Sequence, residues 1–588
     1  MKRVLLLVAT IGVAAAASWY IVRSTQLVPG AAVSALLPRE TVLLLHIQDF
    51  GRTRDRWHQS DLYQLYREPA VQDFLRKPLS RLPEKNETAE TLHDIDQLGV
   101  KDGFFALTRV DRSDLTFVAG FHFRGSQQDA EKTVEKWRSK LVRNPAVKRE
   151  TVEYERHKID RVMLPPFTLV SAFDGQWFFA ASDLADLKVV LDRADRRNKD
   201  RETTLEASEE YRAAMAHMPS AYAGLFYLQP KTFAQQLHNL RAAIGSPIGP
   251  EQSTLIEQIR SVCGTMRFEN GKIHDTVFIG MPQFEQVPTL TRSSLTLGTE
   301  NTLLYLAMLL NLGEKIDTLS QAPGLADRLQ KLFRTFTENG ITRAEWKMAF
   351  GPELGALADW PEDARTPSLF VALPVIDPVK ANKIVEIAMR VDEDSSWTRT
   401  EKEGVHYFSM QSPATLVAIS PTIALSDRIF ILGLDSSSVE TAMKRSRDST
   451  SQLSGRDTYK NAVRAVPPPT NFFAYLDTAL LYNRLDSTLR PLLLMAFAFV
   501  PGANDYVDLG KFPAPEVISK HLSPIVSSQR YDHDGYVTES AGPVTLNQAT
   551  IGLAAIAIGV ANQAKEHRSL LGPAQKFIAP SPTPTGTP

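Results

Sequence analysis

The chain has 588 residues, 43% hydrophobic and 23% charged, a globular composition too long for one ordinary core, so two or more domains are expected. Its 66 basic and 67 acidic residues leave a formal charge of −1, which argues against the clustered positive field that nucleic acid binding requires. The single cysteine, Cys263, can form neither an internal disulfide nor a Cys-based zinc site, and no cofactor is indicated.

Residues 1–23 begin with Lys2 and Arg3, continue through apolar or small residues from Val4 to Val22, and close on Arg23. As a helix that run would be about 28 Å long, enough to cross a bilayer core. Trp19 and Tyr20 fall where an interfacial aromatic belt sits, and the flanking charges place the N-terminus in the cytoplasm. The expectation is a single-pass anchor in a bacterial inner membrane with an extracytoplasmic body. Ala14, Ala15 and Ala16 keep open the alternative of a signal cleaved on secretion. Residues 24–37 then read as a linker.

From residue 38 to 283 the pattern is strand, helices, two strands, helix, two strands, helices, strand, helix and hairpin. "VLLLHIQDFGRTRDRW" is a strand running into a helix, and "LTFVAGFHFRGSQQDAEKTVEKW" is a second such passage. In the latter, Phe117, Ala119 and Phe121 share one strand face, and Val134, Trp137 and Leu141 turn inward from the helix. "FDGQWFFAAS" is a turn and strand leading to a helix with Leu184, Leu187 and Leu191 on one face; "GTMRFENGKIHDTVFIG" is an Asn270-Gly271 hairpin.

After a Ser/Thr-rich linker at 284–300, residues 301–542 read as the same series again. "SLFVALPVIDPVKANKIVEIA" matches Phe370 to Phe117, and Ala381, Lys383, Val385 and Glu386 to Ala130, Lys132, Val134 and Glu135. Tyr459, Pro467, Tyr475 and Leu485 match Tyr211, Pro219, Tyr227 and Leu237, and an Asp534-Gly535 hairpin closes the second unit. Residues 543–568 form an apolar helix too short to span, and 569–588 a Pro/Thr-rich tail with nothing to bury, expected to be disordered. The fold class expected is therefore α+β: a tandem duplication of an α/β unit with largely antiparallel sheets covered by helices, plus the N-terminal transmembrane helix.

The passages "LLPRETVLLLHIQDFGRTRDRW", "EPAVQDFL" and "DGYVTESAGPVTLNQA" resemble an uncharacterised bacterial family of membrane-anchored envelope proteins catalogued as a domain of unknown function. The resemblance covers most of residues 36–548. It implies an envelope location and a repeated α/β body, and transfers no catalytic residue.

No compact catalytic signature is present: no His-Glu-x-x-His, Gly-x-Ser-x-Gly, Walker loop, Gly-x-Gly-x-x-Gly or Ser-x-x-Lys. "YDHDGY" offers Asp532, His533 and Asp534 as metal donors, but lacks the spaced carboxylates of a calcium loop and reads as a hairpin turn. His46, Asp49, Trp57 and His58 could form an acid-base set, against ordinary strand-end and helix-surface roles, and Cys263 reads as an inert buried thiol. No catalytic, cofactor or metal residue is assigned. The unusual feature is "RPLLLMAFAFVPGA", where eleven residues from Pro491 to Pro501 lack any polar side chain. It reads either as a segment buried under the second sheet or as an apolar contact surface of Leu492, Leu493, Leu494, Met495, Phe497 and Phe499.

These features point to a membrane-anchored extracytoplasmic binding or scaffold protein with a protein or lipid partner and no nucleic acid. A carrier or sensor of lipid or apolar ligands is the first alternative, and a hydrolase with a dispersed site the second.

Overall fold

A computed structural model describes residues 32–80, 94, 97–110, 115–142, 147–164, 167–195, 200–232, 258–283, 288–309, 327–390, 397–410, 420–448, 451–498 and 508–549. The strands of the first half are β1 (Leu43–Ile47), β2 (Asp102–Val110), β3 (Leu115–His122), β4 (Lys148–Tyr154), β5 (His157–Leu164), β6 (Phe167–Asp174), β7 (Trp177–Ala181), β8 (Gly224–Leu228), β9 (Ser261–Glu269) and β10 (Lys272–Gly280). Those of the second are β11 (Thr302–Leu309), β12 (Glu353–Asp359), β13 (Ser368–Pro374), β14 (Trp397–Lys402), β15 (Val405–Met410), β16 (Thr422–Leu425), β17 (Ile429–Gly433), β18 (Phe472–Leu476), β19 (Ile525–Asp532) and β20 (Gly535–Gly542).

Every pairing is antiparallel. The first half runs β4-β5-β6-β7-β3-β2-β1-β8-β9-β10. The second runs β14-β15-β16-β17-β13-β12-β11-β18-β19-β20, the same order. The two series join through β10 and β20, paired from Ile273↔Gly542 to Gly280↔Gly535. Each half ends on an unpaired strand edge, which left open would template association with other chains; pairing the two edges removes both. The remaining edges, β4 and β14, are mostly exposed and carry Lys148, Arg149, Glu150, Arg399, Glu401 and Lys402, which discourages further pairing.

The expected fold class is corrected in two respects. The described strands form one 20-stranded antiparallel sheet with helices on it, not separate sheets of two α/β units. Among the described residues no helix is long and apolar enough to cross a membrane, so the expected N-terminal transmembrane helix has no support. Residues 1–23, the tail at 569–588 and all but the first turn of the helix expected at 543–568 lie outside the described residues.

The helices that matter below are α1 (Phe50–His58), α2 (Asp61–Arg67), α3 (Pro69–Ser80), α4 (Gln127–Val142), α5 (Leu184–Ala194), α6 (Glu209–Ala216), α7 (Asp327–Glu338), α8 (Arg343–Ala349), α9 (Pro378–Met389), α10 (Ser436–Arg445), α11 (Asp457–Val463), α12 (Thr478–Ala498) and α13 (Pro515–Ser519). Their starts follow from local chemistry: Asp49, Ser60, Asp183, Ser208, Thr342, Asp377 and Asp435 each accept hydrogen bonds from first-turn amides.

One sheet face carries Val118, Phe179 and Tyr227 under Leu187, Val190 and Leu191 of α5. The second half repeats this with Phe370, Ile431 and Tyr475 under Val439, Ala442 and Met443 of α10. Val118 and Phe370 are thus the equivalent core positions, each paired to its neighbour on the preceding strand, Ala106 and Leu357. The sequence match of Phe117 with Phe370 is therefore one residue out, which in a strand places the side chain on the opposite face. Phe121 and Ala130 lie on the other face with the half-buried Trp137, whose indole N–H donates to Asp94 at 3.1 Å. The Leu141 side chain lies outside the described residues.

The two hairpins also differ. Asn270-Gly271 is the loop of the first, both residues at positive φ. In the second the loop is His533-Asp534, with His533 at φ 53°, and Gly535 is the first residue of β20. Gly535 is needed for contact rather than turning: a Cβ there would lie 2.4 Å from the Ile279 carbonyl oxygen and 2.5 Å from the Phe278 ring.

Candidate functional site

The apolar run lies in α12. This helix starts at Asp477, whose carboxylate accepts the Leu480 amide at 3.0 Å and the Arg456 guanidinium at 2.8 Å. Leu480, Leu481 and Leu485 seat its first half against Leu303, Ala358 and Trp360 on the sheet, and Arg484 donates to the Trp360 carbonyl at 3.0 Å. Pro491 lies inside the helix, where it lacks the N–H that would reach back one turn.

Around and beyond that proline the helix presents its leucines outward: Leu489 is 42% exposed, Leu492 53%, Leu493 46% and Met495 56%. Of the expected contact surface, Leu492, Leu493 and Met495 are therefore on the outside. The side chains of Leu494 and Phe497, and Phe499 altogether, lie outside the described residues.

Beside this stripe is a groove of about 180 Å³ walled by Tyr482, Leu485, Leu489, Leu493, Leu509 and Phe512. Its geometry is held by Arg490, which bonds Asp486 at 2.6 Å, the carbonyls of Phe512 and Pro513 at 3.3 and 2.7 Å, and lies 4.6 Å from the Phe512 ring centre. Phe512 in turn meets Phe74 of α3 edge-on at 5.1 Å, so the first half of the chain braces the groove. Sequence reading missed Leu485, Leu489, Leu509 and Phe512. Leu485, Leu489 and Leu493 repeat at four-residue spacing, the helical signal that would have joined the run to the residues before it.

The acid-base set does not assemble. The Tyr222 hydroxyl lies 2.8 Å from His46 Nδ1, and burial holds the His46 imidazole down at about 4, against the pull of Asp102. A neutral imidazole of that kind is a weak base at neutral pH. Asp49 caps α1, Trp57 packs on Phe268, and His58 is exposed beside Tyr63. Burial pushes the Cys263 thiol up to about 12, so it stays protonated. Among the described residues no histidine is hydrogen-bonded to a serine, threonine or cysteine side chain.

Of "YDHDGY", Asp534 accepts His217 Nε2 at 2.9 Å and Asp532 lies 3.6 Å from His217 Nδ1, so this hairpin docks onto the first half rather than gathering ligands. A cluster that sequence did not indicate is His157, Asp174 and Asp195, whose donor atoms lie within 4.8 Å of one another. Arg156 already bonds both carboxylates, and His157 bonds Asp195 at 2.9 Å and the Phe173 carbonyl at 3.2 Å. The cluster is an internal network of ion pairs and hydrogen bonds centred on Arg156 and His157.

No protein-family model and no curated protein matches the chain. Solved structures that resemble it include crystal forms I, III and IV of TP0453, at TM-scores of 0.22, 0.24 and 0.23 and identities of 7, 8 and 5%. They cover 43, 45 and 42% of this chain and 81, 83 and 79% of TP0453. A likeness at this level assigns no activity.

Proposed function

We propose that this is an extracytoplasmic binding protein that engages the acyl chains of a lipid surface through the tip of α12 and its groove. The observation that carries the reading is the outward stripe of Leu489, Leu492, Leu493 and Met495 on a helix whose preceding turns are fixed to the sheet. Contiguous large apolar side chains in water mark an interaction site, and a helix presenting them at one face suits shallow burial at a membrane interface. The Arg490 clamp favours a preformed site, which lowers the ordering cost of binding.

The test is local. Cys263 is buried, so a Leu492→Cys variant can be labelled at that position with an environment-sensitive nitrobenzoxadiazole dye. On adding phosphatidylcholine vesicles the dye emission is expected to shift to the blue and to be quenched by lipids carrying a doxyl group on the acyl chain. Emission that stays as in water sinks the proposal, whatever residues 1–23 do. The extracytoplasmic location is part of the same proposal, motivated by the N-terminal sequence. Protease added to intact spheroplasts is expected to digest the body; a body protected until lysis would place it inside.

A further inference from the structure

A second concavity lies at the far end of the first half, where β1 leaves the sheet and α1 begins. It encloses about 400 Å³, and its wall includes Arg52 and Arg56 of α1, Lys101 before β2, and Arg267 of β9, with Tyr222 and Phe268 as its aromatic surface.

The charges in this wall are not balanced. Arg56 donates to the Phe268 carbonyl at 3.0 Å, and Arg267 meets Glu269 at 3.3 Å. Among the described residues neither the Arg52 nor the Lys101 side chain has a carboxylate partner. Two acids also line the wall: Asp49 accepts the Arg52 amide at 3.0 Å, and Asp102 lies 3.4 Å from His122 Nδ1 with its Oδ1 buried and without a hydrogen bond. Arg52 and Arg56 are four residues apart, on one helix face, where like charges repel. An arrangement that costs repulsion in the free protein fits a bound anion.

We propose that this pocket binds a small organic anion, its phosphate or carboxylate oxygens held by Arg52 and Lys101 in the field of Arg56 and Arg267. The body of the ligand would lie against Phe268 and Tyr222. Arginine suits this task because its planar fork meets two oxygens of one oxyanion.

Calorimetric titration of the purified full chain with phenyl phosphate and with inorganic phosphate tests the site. Phenyl phosphate is expected to bind more tightly, because only it reaches the aromatic wall. Arg52→Gln and Lys101→Gln are each expected to weaken binding by about tenfold or more. Neither substitution breaks an ion pair, so urea midpoints should stay at the native value, and Arg52→Lys should retain more affinity than Arg52→Gln. Native protein that takes up neither anion overturns the proposal, as does a double variant that binds phenyl phosphate as the native chain does. If vesicles containing phosphatidate bind through Arg52 and Lys101 while phenyl phosphate does not, the small-molecule assignment falls. The dye measurement at Leu492 reads a different surface, so the two proposals fail separately.

Discussion

Val537→Asp is expected to destabilise the chain by about 3–5 kcal/mol, and to loosen the first half although the substitution lies in the second. Val537 belongs to β20, is fully buried, and stands opposite Phe278 of β10 within the core of the first half. A carboxylate there would be desolvated, and Arg530, opposite it on β19, is already paired with Glu539 at 2.9 Å. Hydrogen exchange followed by peptide is the informative measurement, because one continuous sheet should transmit the loss to β8, β9 and β10. Exchange that rises only in β18 to β20 would contradict mechanical continuity across the β10–β20 pair. Val537→Ala provides the milder control, with the same spatial pattern and a smaller loss.

Asp275→Asn is expected to stabilise the protein at pH 8 and to flatten its stability between about pH 4 and 6. Burial pushes the Asp275 carboxyl up to about 6 from its ordinary 3.8, partly offset by hydrogen bonds from Thr545 and Asn547. Below pH 3.8 the group is protonated whether the chain is folded or not. Between there and about pH 6 the unfolded chain has released the proton while the folded chain keeps it, so stability falls as pH rises. The difference between 3.8 and about 6 corresponds to about 3 kcal/mol, lost in full above the folded value. An asparagine keeps an oxygen for the Asn547 amide, can donate to Thr545, and carries no charge to desolvate. Urea unfolding of both proteins from pH 4 to 8 checks this: the native-minus-variant difference should grow by about 2–3 kcal/mol across the window. A difference that does not change with pH would mean Asp275 is ionised at ordinary cost. Thr545 also exchanges hydrogen bonds with Gln548, so Asp275 ties the start of the C-terminal helical turn to the joint between halves.

Much of the local structure was legible. Asn270-Gly271 names its own hairpin because two consecutive positive φ angles suit few residue pairs. The Leu184, Leu187 and Leu191 period displays the first of the two equivalent helices, while the caps themselves, Asp183 and Asp435, are seen only in the structure, where each accepts first-turn amides. The second hairpin was misplaced by one residue because Gly535 looked like a turn glycine, whereas its requirement comes from β10 passing close to it. The match of Phe117 to Phe370 failed similarly: identity of letters does not report which face of a strand a residue occupies, and the register does.

For the candidate site, composition disclosed the apolar run from Pro491 to Pro501, and nothing in it disclosed exposure. Burial depends on what lies over a helix. Leu480 and Leu481 are as apolar as Leu492 and Leu493, yet the first pair meets the sheet and the second meets solvent, because the helix extends past the sheet's cover. The basic pocket was equally invisible, since Arg52, Lys101 and Arg267 are brought together from a helix, a loop and a distant strand.

By itself the sequence determined the period-two strands, the capped helices and the tight turns, all of which arise from interactions between residues a few positions apart. The tertiary structure alone decided that both series of strands share one sheet. That joint is made by backbone N–H and C=O groups of β10 and β20, which every residue except proline carries, so no side-chain pattern marks it. The same long-range packing decided which apolar residues stay outside.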